Sequence, residues 1–260
     1  MIKNLLISIL FLASGMNLAQ AQNTWTQKAD FGGTGIAAAT GFSIGSKGYI
    51  GTGSDFYNYL KGFWEYDPAT DAWTQKADVG GTGRDYAVGF SIGNKGYIGT
   101  GEFFDGSFHF YNDFWEYDPL SNVWTKKADF GGAGRANAVG FSIGNKGYIG
   151  TGYFYDGSDH FFKDFWEYDP DTDTWTQKAD FGGTARFSPV GFSIGDKGYV
   201  GTGFDGTPFP DYLKKDFWEY DPAINSWKQK ADFGGTARYV ATGFSIDSKG
   251  YIGTGWDGFG

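Results

Sequence analysis

Apolar and small residues alternate from Val88 to Ile92, the polar stretch Gly93-Asn94-Lys95-Gly96 follows, and Tyr97 to Gly101 resumes the two-residue period. Successive side chains of a strand point to opposite faces, so this pattern predicts two half-buried strands joined by a tight hairpin. A variable stretch rich in aromatic residues then runs from Glu102 to Asp113, expected to form a loop. Phe114-Trp115-Glu116-Tyr117 is the predicted third strand, ended by Asp118-Pro119. Proline cannot donate to a ladder, and aspartate caps turns through its side chain, so this pair acts as punctuation. Trp124 to Lys127 is the predicted fourth strand, and Gly131-Gly132-Ala133-Gly134-Arg135 leads into a fresh copy of the same pattern.

The copies recur along nearly the whole chain. Trp25, Trp73, Trp124, Trp175 and Trp227 sit in near-identical surroundings. A period of about 50 residues made of short strands predicts a β-propeller, one blade per repeat. The units are expected at 36–78, 84–129, 135–180 and 186–232, with a partial fifth at 238–260. Residues 24–30 are expected to form an outer strand. The fifth unit stops before any Phe-Trp-Glu-Tyr segment, which suggests a longer propeller cut short at its C-terminus. In propellers, strands from the two ends usually share one blade and close the ring.

Within each unit a Gly-rich strand end precedes a Tyr, and a Trp follows after six residues. The pairs are Tyr66/Trp73, Tyr117/Trp124, Tyr168/Trp175 and Tyr220/Trp227. This pattern resembles the kelch repeat. The glycine pair departs from that pattern, reading Gly99-Thr100-Gly101 and its equivalents. The arginine that opens the first strand in the kelch family is matched by Arg84, Arg135, Arg186 and Arg238, while the first unit has Ile36 there. The resemblance implies an all-β, kelch-type propeller of four complete four-stranded blades and a partial fifth. It implies little about activity, because propellers host many unrelated functions.

The repeats supply an internal control. Residues repeated in every unit belong to the framework, and residues that differ at matched positions are where a ligand can be selected. Two such positions stand out. One is the aromatic-rich loop, with Phe108, Tyr111, Phe161, Phe162 and Tyr212 as candidate contacts. The other is the pair just after each arginine: Ala37-Ala38, Asp85-Tyr86, Ala136-Asn137, Phe187-Ser188 and Tyr239-Val240. The two share one face in propellers, so Tyr86, Asn137 and Tyr239 are expected near the channel mouth. Arg84, Arg135, Arg186 and Arg238 are expected either to ring that mouth and hold a carboxylate or sulfate, or to pair with neighbouring acids as framework.

Residues 1–21 read as a secretory leader: Lys3, an apolar run from Leu5 to Leu12, and the cleavage motif Ala19-Gln20-Ala21. The predicted destination is therefore secreted, cell-surface or periplasmic. The formal net charge is −9, with no cysteine. The acidic balance opposes phosphate backbones, so no nucleic-acid partner is expected. The absence of cysteine removes disulfides from the account. It also excludes the Tyr–Cys copper cofactor of galactose oxidase, a relative that the kelch resemblance brings in. The two histidines, His109 and His160, lie near Asp105 and Asp156 and are weak metal candidates. The Asp67-Pro68-Ala69-Thr70-Asp71 turn is a weak calcium candidate. No cofactor is expected. Glu65, Glu116, Glu167 and Glu219 are identical across units, which favours framework over a paired-carboxylate site.

The leading expectation is a non-catalytic recognition module that binds a glycan or a protein through the aromatic loops. The alternative is a carbohydrate-active enzyme resembling the sialic acid epimerases of the kelch type. There the arginines would anchor an acidic sugar, with Asp85, Tyr86 or Tyr239 as acid/base candidates. A purely structural spacer is a third possibility.

Overall fold

Four short antiparallel strands, each hydrogen-bonded to the next in chain order, build every complete unit. The computed structural model describes residues 24–55, 57–208 and 210–258. Blade I comprises Thr40–Ile44, Lys47–Gly51, Phe63–Asp67 and Ala72–Gln75. Blade II comprises Val88–Ile92, Lys95–Gly99, Phe114–Asp118 and Val123–Lys126. Blade III comprises Val139–Ile143, Lys146–Gly150, Phe165–Asp169 and Thr174–Gln177, and blade IV Val190–Ile194, Lys197–Gly201, Phe217–Asp221 and Ser226–Gln229. Unit V is a two-stranded hairpin, Thr242–Ile246 with Lys249–Gly253. No helix occurs among the described residues, so none of those residues forms a helix able to cross a membrane. The first strands of successive units pack side by side in chain order, which gives the radial arrangement of a β-propeller.

A glycine socket and an aromatic knob join each blade to the next. A Cβ on Gly147 would lie 2.5 Å from the Phe90 ring of the preceding blade, and one on Gly198 would lie 2.5 Å from Phe141. Only a residue without a side chain leaves room for the ring at these positions. Further out, Phe114 meets Tyr168 and Trp175 edge-on at 4.9 and 5.0 Å, and Phe165 meets Tyr220 and Trp227 in the same way. Such edge-on pairs add about 0.5–1.5 kcal/mol each beyond simple burial. The outer rim is clipped as well. The Trp124 indole donates to the Ala77 carbonyl at 3.0 Å, and the Ala77 amide donates to Asn122 Oδ1 at 3.0 Å. Asp71 plays the part of Asn122 for Ala29, so the candidate calcium turn accepts the amide of the segment that precedes blade I. The repeated glutamates are framework too, since Tyr97 donates to Glu116 and Tyr148 to Glu167 at 2.6 and 2.5 Å.

Two expectations change. Residues 24–30 are not in a strand, and Trp25 is fully exposed. Every other repeat Trp leans on a Tyr from the third strand of its own blade, as Trp73 does on Tyr66, and among the described residues no third strand lies beside Trp25. The variable loops of blades II and III are not loops throughout. They fold into small hairpins, Glu102–Phe104 with Phe108–Phe110 and Tyr153–Tyr155 with Asp159–Phe161. Alternating aromatic residues there satisfy the strand period. The leader at 1–21 lies outside the described residues.

Candidate functional site

Five residues at matched positions surround the channel mouth: Ala38, Tyr86, Asn137, Ser188 and Val240. All have left-handed backbones, with φ between 48° and 55°. For a non-glycine residue this costs on the order of 1–2 kcal/mol. A chain of hydrogen bonds between blades offsets it. The amide of Tyr86 donates to Ala38, Asn137 to Tyr86, Ser188 to Asn137 and Val240 to Ser188, at 2.8–3.3 Å. This backbone belt fixes where the neighbouring variable side chains project.

Next to the belt, each unit makes one antiparallel bridge between the residue after its arginine and the residue after its Gly-Thr-Gly. The pairs are Ala37/Ser54, Asp85/Glu102, Ala136/Tyr153, Phe187/Phe204 and Tyr239/Trp256. The frame is the same each time and the chemistry differs each time. A cavity of about 580 Å³ opens here. Phe108, Tyr153, Phe161, Phe187, Phe204 and Tyr239 supply aromatic walls, and Glu102, Asn137, Asp159 and Ser188 supply polar groups. Tyr86, Asn137, Ser188 and Val240 also line a second cavity of about 410 Å³, where small residues such as Ala39 and Ala87 join them.

Blade II places two carboxyls side by side. Asp85 is buried, and its bridge places Glu102 directly opposite. Asp85 accepts from the Ser54 hydroxyl at 3.3 Å, while Asp85 Oδ1 and Glu102 Oε2 are buried with no hydrogen-bond partner among the described residues. Burial pushes the Asp85 carboxyl up to about 6. Burial, together with the Asp85 charge, pushes Glu102 up to about 7. A carboxyl near 7 is half protonated at neutral pH, so it can donate to one oxygen, accept from another, or move a proton.

The sequence candidates divide sharply. Tyr86, Asn137, Tyr239, Phe108 and Phe161 come together around this cavity, as expected. The arginines do not. Arg84, Arg135 and Arg186 are at most 1% exposed and form two-pronged ion pairs with Asp113, Asp164 and Asp216 of their own blades. Each also donates to a threonine carbonyl of its own blade. Burial pushes the Asp113 carboxyl up, but Arg84 and the Trp115 indole outweigh it and hold it below its ordinary value. A guanidinium whose donors are already used cannot anchor a ligand. Arg238 is part-exposed, donates to Thr236 and Thr254, and lies outside the cavity.

Tyr111 and Phe162 are also corrected. They stack on Arg84 and Arg135, with the guanidinium carbon 4.3 and 4.0 Å from the ring centroid, and so seal the ion pairs. Tyr212 packs on Phe204 and lines a different cavity of about 750 Å³ at unit V. His109 and His160 each reach one carboxylate, Asp105 at 3.1 Å and Asp156 at 2.9 Å, and no cluster of three metal-ligating side chains occurs among the described residues. Glu102 is the cavity residue that sequence reasoning passed over. Its signal was available, since Ser54, Tyr153, Phe204 and Trp256 occupy its position in the other units.

No family model matches the chain, and no curated protein matches it. Among solved structures it is similar to that of YjhT, with a TM-score of 0.66 and 20% identity, covering 80% of this chain and 69% of that one. This likeness bears on the fold, a β-propeller, alone.

Proposed function

We propose that this chain is an exported propeller of the kelch type whose channel-mouth cavity recognises a carbohydrate without transforming it. The carrying observation is the composition of one 580 Å³ space, where aromatic faces surround Glu102 and Asn137. Apolar ring faces suit the C–H faces of a sugar, and a few convergent polar groups fix its hydroxyls. The acidic residues favour a neutral or hydroxyl-rich glycan over an anionic one. The resemblance in the Tyr/Trp and Gly-Thr-Gly pattern supports the kelch assignment, and residues 1–21 support export. A glycan array followed by calorimetry on the best sugar tests the reading. Phe161→Ala and Glu102→Gln are each expected to weaken binding at least tenfold. Binding unchanged in both variants would move the site elsewhere.

The buried Asp85/Glu102 pair favours a second reading, an enzyme that moves a proton on a sugar, for example in anomer interconversion. Glu102 would exchange the proton and Asp85 would hold its carboxyl near neutrality. Magnetisation exchange between sugar anomers, accelerated by the protein and abolished in Glu102→Gln, would decide for this reading. Binding without acceleration would decide for recognition alone.

A further inference from the structure

The cavity at the channel mouth has two chemically different sides. Units III to V supply rings: Tyr153, Phe161, Phe187, Phe204 and Tyr239. They touch one another in a continuous set, with Phe161 stacked on Phe187 at 5.8 Å and Tyr239 edge-on to Phe187 at 5.8 Å. Blade II adds acid to its own rings. Glu102 lines the cavity, and Asp85, only 7% exposed, sits beside it, because the partners of an antiparallel bridge project their side chains to the same face. Asp159 brings a further carboxylate from blade III, where it accepts from the Tyr153 hydroxyl at 2.8 Å. No lysine, arginine or histidine lines this space among the described residues.

Two buried oxygens on the acidic side are left over. Asp85 Oδ1 and Glu102 Oε2 accept from no group among the described residues. Framework carboxylates are answered instead, Asp113 by Arg84 and the Trp115 indole, and Glu116 by the Tyr97 hydroxyl. The groups that face the pair are neutral: the Ser54 hydroxyl and the phenols of Tyr59, Tyr86 and Tyr153. A buried acceptor without a donor is costly, so a donor that arrives from solvent gains more here than at a satisfied site.

We infer that the cavity selects an amino sugar with a free, protonated amine, whose ammonium group donates to Glu102 and Asp85 while its ring lies against the aromatic wall. The inference rests on the carbohydrate reading above and narrows it. An ammonium carries three donors and a full positive charge, which matches two acceptors that have neither a donor nor a counter-ion. The rings support both parts of the ligand, since aromatic faces attract cations and pack against the C–H faces of a sugar. A quaternary ammonium donates nothing and would leave both oxygens unmet. An N-acetylated sugar offers one neutral N–H and leaves the carboxyl charge uncompensated. A metal ion fits less well, because no cluster of three metal-ligating side chains occurs among the described residues.

Binding of this kind carries a proton signature. At pH 6 the Glu102 carboxyl is mostly protonated, because burial and the Asp85 charge push it up to about 7. An ammonium at hydrogen-bond distance favours the ionised carboxylate, so its arrival expels the proton to solvent. A neutral sugar in the same place exerts a much smaller pull.

An array of matched glycans in free-amine, N-acetyl and hydroxyl forms, of gluco and galacto configuration, tests the inference on the whole protein, with calorimetry on the best amine and its two counterparts. At pH 7 the free amine is expected to bind at least about tenfold more tightly than either counterpart. At pH 6, titrations in two buffers of different ionisation enthalpy are expected to show up to about one proton released per ligand bound. Glu102→Gln should bring the preference below about twofold and abolish the proton release, and Asp85→Asn should reduce both. Phe161→Ala should weaken all three forms alike. Both acid substitutions keep the size of the side chain and remove a buried unpaired charge, so they leave the fold standing. The inference is overturned, and the carbohydrate reading kept, if the N-acetyl or hydroxyl form binds as tightly as the amine, if the preference survives Glu102→Gln, or if no proton is released. Binding of no glycan in any form overturns both.

Discussion

Asp85 and Glu102 face each other across a single antiparallel bridge, and among the described residues neither carboxyl is paired with a cation. Their raised proton affinities set a testable pH dependence. The folded values, about 6 and about 7, lie above the ordinary 3.8 and 4.5, so in this window the native state holds more protons than the unfolded chain. The stabilisation from this pair is therefore complete below about pH 4 and lost as pH climbs through 6 and 7. The double variant Asp85→Asn/Glu102→Gln should match the parent at pH 4 and exceed it at pH 8 by up to about 6 kcal/mol, from two upward displacements of roughly two pH units each at about 1.4 kcal/mol per unit. Urea denaturation at the two pH values measures the difference directly.

Removing one partner of a buried ion pair strands the other. Arg135→Ala leaves Asp164 charged beside an empty, sealed space and is expected to cost about 3–5 kcal/mol in chemical denaturation. The matched change Arg238→Ala should cost less than about 1 kcal/mol, because Arg238 has no carboxylate to strand among the described residues. Similar losses at both positions would contradict the framework role given to the buried arginines.

Glycine at the blade junction can be tested by adding one methyl group. Gly147→Ala would push a Cβ to 2.5 Å from the Phe90 ring, and an overpacked junction of this kind costs about 1–3 kcal/mol. Gly48 has the same place in blade I but meets only Tyr66 Cβ at 3.9 Å, so Gly48→Ala should be close to neutral. Thermal unfolding of the two variants side by side separates packing from any general effect of losing glycine in a strand.

Asn122 joins two blades through one side-chain oxygen, which accepts from the Ala77 amide and from the Tyr117 hydroxyl at 3.0 and 2.9 Å. Its backbone also has φ of 56°, which asparagine tolerates and alanine resists. Asn122→Ala should lower stability by about 1–3 kcal/mol. Asn122→Asp, as found naturally at Asp71 and Asp173, should recover most of it. Equal losses in both variants would remove the clip from the account.

The architecture was legible because the signal was repeated. Alternation around Val88 and Tyr97, the Asp118-Pro119 stop and the recurring Trp fix strand positions whatever the ligand. The site was legible in part. Comparing matched positions drew attention to Tyr86, Asn137 and Tyr239, which do share a cavity. The same comparison applied one strand later marks Glu102, but an acid at the head of an aromatic stretch reads as an ordinary loop residue. For the arginines the sequence left two roles open, ligand ring or framework ion pair, because sequence does not show burial. Asp113 lies 29 residues beyond Arg84, and only the fold brings the two charges into contact. Tyr111 and Phe162 failed for the same reason, since each stacks on the arginine that opens its own unit, Arg84 and Arg135, far away in sequence.

The glycine socket and aromatic knob give every blade a front and a back. Because Gly96 receives Phe42 just as Gly147 receives Phe90, any unit can follow any other without a change to either face. A gene encoding such units can lengthen by tandem copying, each new copy fitting at once against its parent. Sequence divergence is then free to concentrate away from the sockets, at the positions of Ser54, Glu102, Tyr153, Phe204 and Trp256. The near-identity of the repeats and the singular chemistry of one bridge thus share a common origin: junctions that accept only one shape leave novelty to the mouth of the channel.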